Sequence, residues 1–119
     1  MRRVLQLLAL LFLLAHLRAL PHTLEDIDSI NFAMGVESFD VAKHQPHPPG
    51  YPVYIALAKT STAVLHTVAP GMDRDRSAAV GIAIWSVIAG ALAALIVADF
   101  WIALGLTPVL AGLAAIVAV

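Results

Sequence analysis

Hydrophobic residues fall into three long runs, separated by one extended polar stretch and a short turn. The first, Val4 to Leu20, is nearly uninterrupted in Leu and Ala and follows Arg2 and Arg3. A bilayer span needs about 17–25 mostly apolar residues, and His16 and Arg18 fall near the far end, where long side chains reach the interface. The run therefore predicts a first transmembrane helix. A charged start with an apolar centre also suits a cleaved signal peptide, although the residues near Ala19 make a poor small-x-small cleavage site. On either reading the positive-inside rule keeps Arg2 and Arg3 cytoplasmic and sends the chain after Leu20 outward. The clearest span runs from Ser77 to about Ala98, with Gly81, Gly90 and many alanines for close helix packing and with Asp99, Phe100 and Trp101 at its interface end. Gly105-Leu-Thr-Pro108 predicts a turn, Thr107 and Pro108 forming a cap and first-turn pair. The last run, from Val109, is still apolar at Val119, and about eleven residues cover only half a bilayer. The expectation is a chain cut off within a span, the N-terminal piece of a larger polytopic protein.

Between the first two spans the pattern changes twice. Pro21 to Gly50 carries Glu25, Asp26, Asp28, Glu37 and Asp40 against Lys43 alone. Thr23 can cap a helix whose first turn holds Glu25 and Asp26, where acids suit both the free N–H groups and the dipole. That helix is expected to run to Met34 and to end at Gly35. Ile27, Ile30 and Met34 share one of its faces, flanked by Leu24 and Asn31, which predicts an amphipathic helix on the membrane surface. Tyr51 to Val68 reads as a second helix. Lys59, Thr62 and His66 fall on one side of it and Tyr54, Leu57, Val64, Leu65 and Val68 on the other. A central Lys costs about 2.5–3.5 kcal/mol on insertion scales, so an interfacial helix is favoured over a span. Pro70-Gly71 stops it, and Asp73 to Arg76 reads as a solvated polar link.

Composition fixes the solvent. The chain is 61% hydrophobic and 13% charged with mean hydropathy +0.88, far from the roughly 25% charged residues of soluble domains. The expected fold class is an all-α membrane protein: transmembrane helices with an outer loop of juxtamembrane amphipathic helices. As one membrane domain over 1–119 it divides into a first span at 1–20, the outer loop at 21–76, a span at 77–98 and a truncated span at 105–119. The absence of Cys excludes disulfides and thiolate chemistry. A net charge of −1 offers no basic stripe for nucleic acid.

The candidate chemistry sits in the outer loop. His44-Gln-Pro-His-Pro-Pro-Gly-Tyr-Pro52 packs four prolines into residues 46–52. Their fixed φ and missing donors predict a stiff extended turn that aims His44, His47, Tyr51 and Tyr54. Asp28, with Glu25 and Asp26, lies beside low-dielectric surface, where a carboxylate can act as a general base. Capping accounts for Glu25 and Asp26, but Asp28 lies deeper in the helix, where Asp is a poor former, which makes it the first choice and Asp26 the second. His44 and His47 are common surface turn residues; with Asp28 they also offer ligands for a divalent cation or donors for a phosphate. Lys59 and His66 suit a phosphate or lipid headgroups alike. Tyr51 and Tyr54 are interface anchors or a sugar-stacking surface.

The order of one span, then Glu25-Asp-Ile-Asp28-Ser-Ile-Asn-Phe-Ala-Met-Gly35, then His47-Pro-Pro-Gly-Tyr-Pro-Val-Tyr-Ile55, then a strong span, resembles the start of polytopic C-type-fold glycosyltransferases. It is most similar to protein O-mannosyltransferase-like membrane proteins with a D-S and an H-P-P-G-Y-P motif. The resemblance covers about residues 22 to 98. It implies the N-terminal portion of an integral-membrane enzyme that takes a sugar from a polyprenyl-phosphate carrier at the outer face, expected in the bacterial inner (cytoplasmic) membrane with residues 21–50 outside. It implies an inverting transfer in which Asp28, or Asp26, removes a proton from the acceptor or orients an amide, while His44, His47, Tyr51, Tyr54 and Lys59 contribute to substrate binding. Charge developing on the leaving phosphate calls for a cation or strong donors. Completing residues lie in the missing part, so the 119-residue chain alone is expected to be inactive. The other class of function is a small non-enzymatic membrane subunit or scaffold whose outer loop binds a partner.

Overall fold

The computed structural model describes residues 2–119, and Met1, where the expected first span starts, lies outside them. Five α-helices follow in order: α1 (Arg2–Arg18), α2 (Ile27–Glu37), α3 (Pro52–Val68), α4 (Arg74–Ala103) and α5 (Pro108–Ala118), with a 3-10 turn at Val41–Lys43. About 75% of the chain is helical and no strand occurs among the described residues. Among the described residues one helix, α4, is long and apolar enough to cross a membrane; α5 is a shorter apolar helix. The chain forms two compact units, one of Leu20–Trp85 and one that joins the residues up to Ala19 with Ser86–Val119, so that α4 contributes its first part to the former and its last part to the latter.

In the unit made by α1, the end of α4 and α5, small residues lie inside and large ones outside. Ala94, Ala98, Ala111, Gly112 and Ala115 are buried with Leu5. Leu7, Leu10, Leu11 and Leu14 on α1, Leu92, Ile96 and Phe100 on α4, and Leu110, Leu113 and Val117 on α5 are exposed. Gly112 sits directly against the Leu8 side chain, and a Cβ at Gly90 would lie 3.2 Å from Phe12. Close approach through Ala and Gly with Leu turned outward is how helices pack where the surroundings are as apolar as the side chains. Between α4 and α5, Leu106 N–H donates to Trp101 O at 3.1 Å and Gly105 N–H to Ile102 O at 2.9 Å, the paired bonds that close a helix on a left-handed residue. Gly105 supplies that residue at φ +96. Thr107 and Pro108 then open α5 as the sequence leads one to expect.

In the Leu20–Trp85 unit, α2, α3 and the start of α4 enclose Ala33, Ala58 and Ile82, with Leu24, Phe32, Val36, Tyr54 and Ala78 around them. Here several expectations are corrected. α2 does not start behind Thr23, whose hydroxyl donates to Glu25 Oε1 at 2.9 Å ahead of the helix. Asp26 is the cap, its Oδ1 accepting from Ser29 N–H at 2.8 Å, one of the free N–H groups of the first turn. Nor does Gly35 end α2: it is buried inside a helix that continues to Glu37. Ile27 and Ile30, expected on one apolar face with Met34 toward a membrane surface, are 76% and 43% exposed, and that expectation is not among those corrected. The link at Asp73 to Arg76 is already helix from Arg74, because Asp73 Oδ2 accepts from Asp75 N–H at 3.1 Å and Arg76 N–H at 3.3 Å.

α3 is mixed on both faces, Lys59, Thr60, His66 and Thr67 being exposed alongside apolar residues. Its inner side holds Ile55, Ala58 and Thr62. Ser61 Oγ donates to Gly81 O at 2.6 Å and accepts from Trp85 Nε1 at 3.2 Å, while Tyr54 Oη donates to Ile82 O at 2.9 Å. His66 Nε2 and Ser77 Oγ are 2.8 Å apart. Val53, Leu57, Val64 and Val68 face out. Thr62, expected on one side with Lys59 and His66, is buried with its hydroxyl and backbone against Gly81, whose missing side chain makes that approach possible.

Candidate functional site

The proline-rich turn is built from short-range bonds. Asp40 and Gln45 exchange both backbone hydrogen bonds, at 2.7 and 2.9 Å, closing a loop over the 3-10 turn. Asp40 Oδ1 accepts from Ala42 N–H at 3.1 Å, and Lys43 Nζ lies 3.2 Å from its Oδ2. The Lys43 side chain and these backbone donors hold the Asp40 carboxyl below its ordinary 3.8. His44 leaves the 3-10 turn in the left-handed region, φ 57. Gly50 N–H donates to His47 O at 3.0 Å, so His47 to Gly50 is a tight turn. Gly50 at φ +91 and Tyr51 at φ 45 then swing the chain into α3, with Pro52 in its first turn, where its missing N–H is not needed.

This geometry brings His47 to α2. His47 Nδ1 lies 4.0 Å from Asp28 Oδ1, at ion-pair range and beyond hydrogen-bond length. Phe32, one turn after Asp28 on the same side of α2, is the hub of the neighbouring ring cluster. Its centroid lies 5.7 Å from that of His47, 5.4 Å from Tyr51 and 5.1 Å from Tyr54, the last two edge to face, and His47 is 5.5 Å from Tyr51. Such pairs are worth about 0.5–1.5 kcal/mol beyond their buried area and fix ring orientation. The Asp28 carboxylate remains two-thirds exposed and so is open to a reactant, whereas His47 is 29% exposed.

Of the residues singled out in the sequence, Asp28, His47, Tyr51 and Tyr54 therefore meet. Asp26 faces its own helix: it accepts from Ser29 N–H, the main reason its carboxyl is held below 3.8, with a smaller contribution from the Ser29 hydroxyl. No ion pair or ring contact joins His44 to Asp28 among the described residues. Lys59 lines a different cavity. Among the described residues no three His, Asp or Glu side chains are grouped to hold a metal ion. Phe32 was missed in the sequence, although its place four residues after Asp28 was a signal that the two share a face.

Chemically, the arrangement is an exposed carboxylate with an imidazole beside it and an aromatic wall behind. The carboxylate can accept a proton or orient a donor, and the imidazole can carry positive charge next to it. Compared with known proteins, the chain matches no family model, and neither a curated protein nor a solved structure is similar to it.

Proposed function

We propose that this chain is the N-terminal portion of an integral-membrane glycosyltransferase that uses a polyprenyl-phosphate-linked sugar, with Asp28 as the catalytic carboxylate. The observation that carries the reading is the meeting of Asp28 with His47, two residues 19 positions apart that stand in the two motifs on which the resemblance rests. The exposed carboxylate is the base toward an acceptor, His47 offsets its charge and donates toward the anionic carrier, and Tyr51 with Phe32 and Tyr54 forms the surface against which a sugar ring stacks.

Residues 77–98 of α4 are the crossing part, about 33 Å at 1.5 Å per residue against a hydrocarbon core of about 30 Å, with Asp99, Phe100 and Trp101 at the interface and the exposed leucines of α1 and α5 toward lipid. Residues 21–76 lie on the outer side, and α3 rests at the interface with Val53, Leu57, Val64 and Val68 toward the acyl region. The membrane is the bacterial inner membrane.

The test is a transfer assay on membranes that carry the complete gene product, supplied with radiolabelled polyprenyl-phosphate sugars and retaining their endogenous acceptors. Label is expected to move from carrier to an acceptor. No transfer from any carrier, together with stable capture of a membrane partner through the 21–50 loop, is the outcome that a scaffold subunit gives.

A further inference from the structure

A tight turn fixes the backbone of His47, since Gly50 N–H donates to its carbonyl, but nothing polar fixes its ring. Among the described residues the imidazole makes no hydrogen bond, and Asp28 Oδ1, 4.0 Å from Nδ1, is too distant to orient it. Packing must therefore set its side-chain torsions. Two rings are in reach: Phe32, 5.7 Å away with the planes 35° apart, and Tyr51, 5.5 Å away and edge to face. Tyr51 belongs to the same turn and is 40% exposed, so it moves with His47. Phe32 belongs to α2, as Asp28 does, and of the two rings it is the one that relates the imidazole to the carboxylate.

Phe32 is held in turn by Tyr54. Their centroids lie 5.1 Å apart with the planes at 71°, edge to face, and both rings pack against the buried Ala33, Ala58 and Ile82. Tyr54 Oη donates to Ile82 O at 2.9 Å. That carbonyl lies inside α4, where the N–H four residues on is its ordinary partner, so the helix does not require the phenol bond; what the bond fixes is Tyr54. Seven positions further along α3, the Ser61 hydroxyl donates to the preceding carbonyl, Gly81 O, at 2.6 Å. Two neighbouring carbonyls of α4 thus pin α3, but only the bond from Tyr54 carries a ring of the His47 cluster.

We propose that Tyr54 is a positioning residue: anchored on the Ile82 carbonyl of α4, it holds Phe32, and Phe32 sets the imidazole of His47 toward Asp28. The inference rests on the reading of Asp28 and His47 as the working pair. To the place of the Tyr54 ring in the stacking surface it adds a role for the hydroxyl, whose proton is spent on α4 and is not offered to a substrate. A hydrogen bond of ordinary net strength favours one arrangement about 2- to 10-fold, which sets the scale of the effect.

Histidine-ring NMR of the full chain in dodecyl maltoside reads this without any transfer reaction. The His47 signals, assigned by their loss in His47→Gln, are expected to show an Overhauser effect to the Phe32 ring in wild type. Tyr54→Phe, which removes one oxygen and leaves the ring, should weaken that effect and shift the His47 Cε1–H signal, and Phe32→Leu should shift it in the same direction. Ser61→Ala, which removes the neighbouring bond from α3 to α4, should leave the effect and the signal unchanged. In the complete gene product Tyr54→Phe is expected to lower kcat about 3- to 10-fold with KM for the carrier-linked sugar unchanged, and to cost nothing further once His47 is replaced by Gln. An unchanged His47 signal in Tyr54→Phe, an equal shift in Ser61→Ala, or a raised KM at unchanged kcat would each overturn the proposal. A shifted signal in a protein that transfers no sugar upholds the positioning and overturns the glycosyltransferase reading alone.

Discussion

Gly35 of α2 lies against Pro46 of the proline-rich turn: a Cβ at Gly35 would be 2.7 Å from Pro46 Cδ and 3.0 Å from its nitrogen. The absence of one methyl group lets the turn that carries His47 dock on the helix that carries Asp28. Pro46 is fully buried there, and Ile55 of α3 closes the same contact at 3.1 Å.

Gly35→Ala therefore sets two effects against each other. Ala favours a helix interior by about 1 kcal/mol over Gly. Forcing a methyl group into the rigid proline ring costs about 1–3 kcal/mol, because neither backbone nor ring can turn aside. Overpacking is expected to win, lowering the thermal midpoint in neutral detergent. Gly71→Ala, with nothing within 4 Å, should leave it unchanged. A rise in Gly35→Ala would mean that the turn does not dock on α2.

Gly50 is tied to its position twice, by φ +91 and by Val41 Cγ2 at 2.6 Å from where a Cβ would stand. Gly50→Val should displace Tyr51 and His47 while removing no functional group. In the complete gene product transfer activity is expected to fall well before yield or membrane insertion does. Full turnover would show that the turn is only a connector.

What was legible in the sequence was what local chemistry decides. Thr107-Pro108 and the Gly105 turn depend on neighbours within a few positions and are found as expected, whereas α3 opens at Pro52 rather than Tyr51 and α4 runs from Arg74 to Ala103, past the expected 77–98 at both ends. Gly35 was misread because a glycine that stops a helix and one that admits a neighbour look alike until Pro46, eleven residues away, is known to touch it. The cap moved from Thr23 to Asp26 because both types cap equally well and only the N–H that is left free, that of Ser29, decides. Thr62 shares a side of α3 with Lys59 and His66, and a wheel shows which residues share a side but not which of them packs; Gly81 against Thr62 settles that.

The outer placement of residues 21–76 is open to a labelling test. Ser38 and Arg76 are exposed, whereas Ser77 is fully buried and would not report. Ser38→Cys and Arg76→Cys are both expected to react with an impermeant thiol reagent added from outside. Reaction of Ser38→Cys alone would mean that α3 crosses the membrane.

Acid should loosen the start of α2. Bonds from Ser29 hold the Asp26 carboxyl below its ordinary 3.8. A depressed folded value means that its stabilising contribution is complete above that ordinary value and fades as pH falls through the folded one. Protection of the Ser29 amide against hydrogen exchange, corrected for intrinsic rate, should be flat from pH 7 to about 5 and fall below about 4. Asp26→Asn keeps the cap without the charge and should remove that fall. A fall that persists in Asp26→Asn would assign it to another carboxyl.

With Asp28 proposed as the base and Asp26 as the cap, the two Asn substitutions separate these roles in one assay. Asn caps nearly as well as Asp but cannot take a proton. In the complete gene product, transfer from a carrier-linked sugar is expected to fall by about 10²–10⁴ in Asp28→Asn, with expression unchanged, and to stay close to wild type in Asp26→Asn. Wild-type transfer by Asp28→Asn would contradict the account; if Asp26→Asn is then the inactive one, the base is Asp26.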